Sequence, residues 1–75
     1  MAMTLSHRAK RRARALALQI YSAGLWYYNP ASSDELYFYA TPRKRAEKII
    51  EGQMKTLRLT QEVIDAALRM VEIID

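Results

Sequence analysis

Residues 6–24 read SHRAKRRARALALQIYSAG, and the fold turns on whether this stretch is a helix. Five of the seven residues from Arg8 to Arg14 are basic, and no acid occurs before Asp34. Thr4 or Ser6 can accept a bond from the first free backbone N–H groups, and Gly24 can close the far end in a left-handed conformation. Ala, Leu, Arg, Lys and Gln dominate in between, all strong helix formers. At a helical pitch Leu5, Ala9, Ala13, Leu16, Ala17 and Ile20 share one face. Arg8 and Arg12 flank that face on one side, Lys10 and Arg14 on the other, and Arg11 points directly away. A second apolar strip of Leu18, Tyr21 and Leu25 appears only towards the end. The pattern predicts a helix over 6–24, buried on two sides at its end and free, basic and solvated at its start.

A chain of 75 residues allows one domain. At this size only about 60 % of the unfolded surface is buried, so the core is marginal. There is no cysteine, which excludes disulfides and thiolate zinc sites, and His7 alone cannot build a metal site. No cofactor is expected. A hydrophobic fraction of 51 % argues against a disordered tail.

The net charge is +4, unevenly placed: +5 over residues 1–25, −2 over 26–40, +4 over 41–59 and −3 over 60–75. This split predicts a basic face for nucleic acid or an acidic protein, with an acidic C-terminal helix turned elsewhere. The basic run followed by an apolar one raises the question of a signal peptide. The apolar run is aromatic at its end, and cleavage near Ser33 would leave a remnant with no cysteine to stabilise it. It is also shorter than the roughly 20 residues a membrane span needs. The expected location is the cytoplasm, with no membrane partner.

Residues 1–5 read as a loose lead-in. Residues 25–40 hold six of the seven aromatics, in runs Leu25–Tyr28 and Leu36–Tyr39 around the turn formers Asn29-Pro30-Ala31-Ser32-Ser33-Asp34-Glu35. They read as a β-hairpin, with Trp26 and Tyr28 on one face and Leu25 and Tyr27 opposite. The rival is a longer first helix followed by an extended tether. Thr41-Pro42 reads as a cap and first helical residue, opening a helix over 42–55 with Ala46, Ile49, Ile50 and Met54 at core spacing. Gly52 weakens that helix or ends it early. Thr60 caps a third helix over 61–74, with Val63, Ile64, Ala67, Leu68, Val71 and Ile74 on one broad face. The expected fold is a small, mainly α single domain of about three helices, α+β if the hairpin forms.

Nothing in the sequence reads as an active site: no phosphate-binding loop, no nucleophile beside a base, no ligand cluster. The chain reads as a non-enzyme with no small-molecule substrate. The contact candidates are Arg8, Lys10, Arg11, Arg12 and Arg14, with Arg43, Lys44 and Arg45 as a second cluster. Arginine forks pair bidentately with phosphate and carboxylate. Unneutralised neighbours repel one another, and positive charge at a helix N-terminus opposes the macrodipole. A sequence that tolerates both penalties is read as regaining them on binding. Trp26, Tyr28, Tyr37 and Tyr39 are candidate aromatic contacts. With no RNP-type Gly/Lys pattern beside them, the reading favours core and protein interface over base stacking. The last two helices could form a helix-turn-helix, but Glu62, Asp65, Glu72 and Asp75 would repel phosphates from the recognition helix.

At Arg11-Arg12-Ala13-Arg14, with Ala17 and Gln19 and then Ile20-Tyr21-Ser22, the chain is similar to the start of the NusB antitermination factors. Their first helix carries an Arg-Arg-x-Ala-Arg start, and its arginines contact RNA. The match covers about a dozen residues, needs a one-residue gap before Ile20 and ends by Gly24. In size, lack of cysteine and basic N-terminal segment, carried mainly by Ser6–Arg14, the chain more closely resembles small RNA-polymerase-binding regulators of Xanthomonas phage. That resemblance implies a partner in the N-terminal part of the polymerase β′ subunit, cooperation with NusA, inhibition of initiation and readthrough of terminators in the host cytoplasm. It leaves the basic helix to an acidic protein surface or to emerging RNA. The alternatives are a nucleic-acid-binding repressor and an adaptor protein of a complex.

Overall fold

The first helix forms where the pattern puts it. In the computed structural model, which describes residues 5–30, 37–56 and 58–75, helix α1 spans His7–Ser22. Ser6 Oγ accepts the Ala9 N–H at 3.1 Å, the predicted cap. Ala13, Leu16, Ala17 and Ile20 are its buried residues. Residues 1–4, most of the expected lead-in, lie outside the described residues.

A helix end leaves its last carbonyls short of partners; here the Ala23 and Gly24 N–H groups reach those of Ile20 and Tyr21, and side chains from α1 and two later elements add further donors. Ser22 Oγ donates to the Gln19 carbonyl at 2.7 Å, Thr41 Oγ1 to that of Ile20 at 2.9 Å, and Tyr39 Oη to that of Tyr21 at 2.6 Å. Arg45 Nη1 donates to the Ala23 carbonyl at 3.3 Å, placing a cation at the negative end of the helix dipole. Gly24 does not take the expected left-handed conformation, since no described glycine has a positive φ. Its smallness serves the close approach of Tyr39, whose Cε1 lies 2.5 Å from where a Cβ would stand.

The hairpin is present. Strand β1 (Leu25–Tyr28) pairs antiparallel with β2 (Tyr37–Pro42) in the register Leu25↔Ala40, Trp26↔Tyr39, Tyr27↔Phe38 and Tyr28↔Tyr37. The longer-first-helix alternative is thereby excluded. The expected turn residues Ala31 to Glu35, together with Leu36, lie outside the described residues. Strand β3 (Ile73–Ile74) lies parallel to β2 on its other edge, so the sheet order is β1-β2-β3.

Helix α2 spans Arg43–Thr56 and α3 spans Gln61–Arg69. Thr60 caps α3 as predicted, accepting the Val63 N–H at 3.3 Å. Leu57, in the connection, lies outside the described residues. Three helices and a three-stranded sheet make a mainly α, α+β fold.

Several details depart from the sequence reading. Thr41-Pro42 ends a strand instead of opening a helix. A residue before proline is extended in either case, so the difference lies in where Thr41 bonds: its N–H goes to the Glu72 carbonyl at 2.9 Å and its hydroxyl to Ile20. Helix three stops at Arg69 instead of residue 74. Ile73 and Ile74 are β-branched, and the edge of β2 offers them a ladder. Met54, expected in the core, is 53 % exposed. Gly52 neither ends α2 nor meets any neighbour that a methyl group would touch.

The core is small and alanine-rich. Leu16, Ala17, Ile20, Ala46, Ile64 and Ala67 form its centre, with Ile49, Ile50, Leu59, Leu68, Val71 and Ile73 packed around it. Thr41 is fully buried and satisfied on both its N–H and its hydroxyl. Thr41→Val keeps the volume but removes one of two donors to the Ile20 carbonyl, which retains the Ala23 N–H at 3.1 Å, so a loss of about 0.5–1.5 kcal/mol is expected. Thermal unfolding of the variant checks this; an unchanged midpoint would mean that the Ala23 N–H alone satisfies the carbonyl.

Candidate binding surface

The eight cations singled out by sequence do not share one role. Three are tied to the body of the protein. Arg12 Nη1 donates to the Arg58 carbonyl at 3.0 Å, joining α1 to the segment before α3. Arg43 forms an ion pair with Asp75, whose hydrogen bond and charge raise the arginine pKa above its ordinary value. Arg45 caps α1, as described above. Arg8, Lys10, Arg11, Arg14 and Lys44 are exposed and have no hydrogen-bond or ion-pair partner among the described residues.

The basic end of α1 is not the free arm that the charge pattern suggested. Leu5 and Ala9 are half-buried, and Leu5, Arg8, Ala9 and Arg12 border a cleft with Thr60 and Val63 at the start of α3. The cations therefore stand on a helix anchored along its length. Their spacing is fixed by the helix, at about 1.5 Å of rise per residue.

The second apolar strip is also placed differently. Leu18, Tyr21 and Leu25 were expected to be buried, but they are 69 %, 52 % and 43 % exposed. The sheet meets α1 at its C-terminal end, through Tyr39 and Thr41, and does not cover this flank. What forms instead is an open groove of about 390 Å³ between α1 and the chain leaving α3, lined by Arg14, Ala17, Leu18, Tyr21, Met70 and Val71. Met70, half-exposed in its wall, carried no signal in the sequence, because the helical pattern ran straight through it.

The four candidate aromatics do come together. Alternation along the strands puts Trp26, Tyr28, Tyr37 and Tyr39 on one sheet face. Trp26 meets Tyr39 edge to face at 5.3 Å between centroids, and Tyr28 meets Tyr37 the same way at 5.4 Å. Tyr39 also packs on Tyr21 at 4.5 Å, which makes the groove and the sheet face contiguous. Tyr39 is half-buried, while Trp26, Tyr28 and Tyr37 are exposed. Of the reading of these rings as core and protein interface, the core part is overturned for those three.

No family model, no curated protein and no solved structure matches the chain. Function must therefore be argued from the surface itself. Among the described residues there is no group of three His, Cys, Asp or Glu side chains able to hold a metal ion, and no helix long and apolar enough to cross a membrane.

Proposed function

We propose that this chain is a non-enzymatic transcription regulator of the phage type, acting in a bacterial host cytoplasm. It binds RNA polymerase, inhibits initiation and promotes readthrough of terminators. The observation that carries the reading is the groove of Leu18, Tyr21, Met70 and Val71 beside cations of α1 that have no partner among the described residues. Protein interfaces have this anatomy: an apolar centre, a polar rim and an enrichment in Met, Tyr and Arg. The choice of partner comes from the resemblance in size, lack of cysteine and basic N-terminal segment to polymerase-binding phage regulators, and from the short local similarity of Arg11–Ser22 to the start of NusB. The N-terminal region of β′ is the proposed docking element, with NusA assisting.

The mechanism is steric and electrostatic. An apolar segment of polymerase seats in the groove, with the cations of α1 along its edge. Arg8, Lys10 and Arg11 extend from that contact and bias the path of RNA or of a mobile polymerase element. The test is transcription in vitro with purified polymerase. Added protein should reduce initiation and increase passage through an intrinsic terminator, the second effect growing with NusA. No change in either would refute the proposal.

A repressor of helix-turn-helix type is less well supported. Helix α3 buries Val63, Ile64 and Ala67, and it presents Glu62 and Asp65 to solvent. Acids on the exposed side of a nine-residue helix would meet phosphates before any base edge.

A further inference from the structure

The exposed aromatic face has no role in seating a polymerase segment in the groove. We infer that it is a stacking platform for single-stranded RNA, with Trp26, Tyr28 and Tyr37 receiving bases and Lys10, Arg11 and Arg14 receiving the phosphates that lead to them. The choice of RNA over other single strands rests on the proposed role in transcription; the stacking surface itself does not.

Three observations point to this ligand. The first is the rings. They occupy alternate positions of two paired strands and are exposed at 69 %, 55 % and 62 %. Such a sheet face is what RNA-binding sheets use to stack two or three bases. Stacking asks only for a π-face, so it needs none of the Gly/Lys pattern whose absence argued against it in the sequence.

The second is charge. Helix α1, β1 and β2 contain no acidic residue; the two acids of residues 26–40, Asp34 and Glu35, fall in the connection between the strands. By helical pitch Lys10, Arg11 and Arg14 lie on the flank of α1 that also carries Leu18 and Tyr21. Arg14 precedes Tyr21 by about 10 Å along the axis, and Tyr21 touches Tyr39, which touches Trp26. A basic strip thus runs directly into an aromatic platform, the arrangement that proteins use for single strands.

The third is the treatment of the α1 C-terminus. Bare carbonyls at that end would repel phosphate. Here those of Gln19, Ile20, Tyr21 and Ala23 are each occupied by a side-chain donor, one of them the cation Arg45. The junction between strip and platform is therefore not a negative barrier.

Trp26 is the sole tryptophan, so its fluorescence reads the platform directly. The experiment titrates the full chain at low salt with a short single-stranded oligoribonucleotide and, separately, with the RNA duplex of the same sequence. Single strands should quench Trp26 saturably, and the duplex should not. Tyr28→Val and Tyr37→Val, which keep strand propensity and remove the rings, should each weaken binding on the order of tenfold. Tyr28→Phe and Tyr37→Phe should retain it. Replacing Lys10, Arg11 and Arg14 by Gln should flatten the slope of log affinity against log salt by about 2, at about 0.7 per phosphate.

Absence of quenching, equal quenching by duplex, or equal binding by the Val and Phe variants would overturn the inference. So would sedimentation showing that the face is covered by a second copy of the chain. Retention of polymerase is measured on the same Val variants. Loss of RNA binding with polymerase retained separates this surface from the groove. Failure of RNA binding in the unmodified chain refutes the platform and leaves the polymerase proposal standing.

Discussion

Replacing Arg8, Lys10, Arg11 and Arg14 together by Gln is expected to abolish inhibition of initiation and terminator readthrough while leaving the fold intact. The four have no partner among the described residues, so no internal bond is lost. Their mutual repulsion and their opposition to the helix dipole are relieved. The thermal midpoint should be unchanged or slightly higher. Arg12 is left out of the set because it holds the Arg58 carbonyl; Arg12→Gln should cost stability by up to about 1 kcal/mol on its own. A fourfold variant that melts several degrees lower would mean that these cations serve the fold. A variant that keeps full activity would remove α1 from the proposed interface.

The second large effect is on stability. Ile20→Ala should cost about 2–5 kcal/mol, the range for a large buried aliphatic whose site cannot collapse. Ile20 is fully buried, and its own carbonyl is fixed by Thr41. Its neighbours Ala17, Ala46 and Ala67 are already small and have little to contribute to a void. Small domains of this kind have only several kcal/mol in total, so the variant should be largely unfolded in chemical denaturant far below the unmodified midpoint. Leu68→Ala should cost less, since Leu68 is only partly buried at the edge of the same core. Equal losses at the two positions would contradict the placement of the core.

Much of this fold was legible in the sequence. The face of α1 was readable because Ala13, Leu16, Ala17 and Ile20 recur at helical spacing between good caps. The hairpin was readable because two aromatic runs flank a cluster of turn formers. The pairing of faces followed from alternation alone. Other features depend on contacts between distant segments, which no local pattern encodes. Thr41 looks like a helix cap until β2 brings its hydroxyl to Ile20. Ile74 satisfies the helical period as well as an edge strand, and only pairing with β2 decides between them.

The candidate surface was partly legible for the same reason. Charge is visible in sequence, but its partners are not. Arg12, Arg43 and Arg45 look like Arg8, Arg11 and Arg14 until Arg58, Asp75 and Ala23 come into contact with them. The groove was missed because Leu18 and Tyr21 read as core. Burial requires a neighbour on that flank, and the sheet sits at the end of α1 instead. Exposure of Trp26 and Tyr37 was missed likewise, since hydrophobicity predicts a preference for burial and not the presence of a cover.

The most direct test of the proposed function is retention of bacterial RNA polymerase by the immobilised chain from lysate, before and after nuclease digestion, over a series of salt concentrations. A groove with an apolar centre should hold polymerase after nuclease and lose it only gradually with salt. Retention that disappears on digestion, with steep salt dependence and tight binding to naked nucleic acid, would contradict the account and favour direct capture of phosphates.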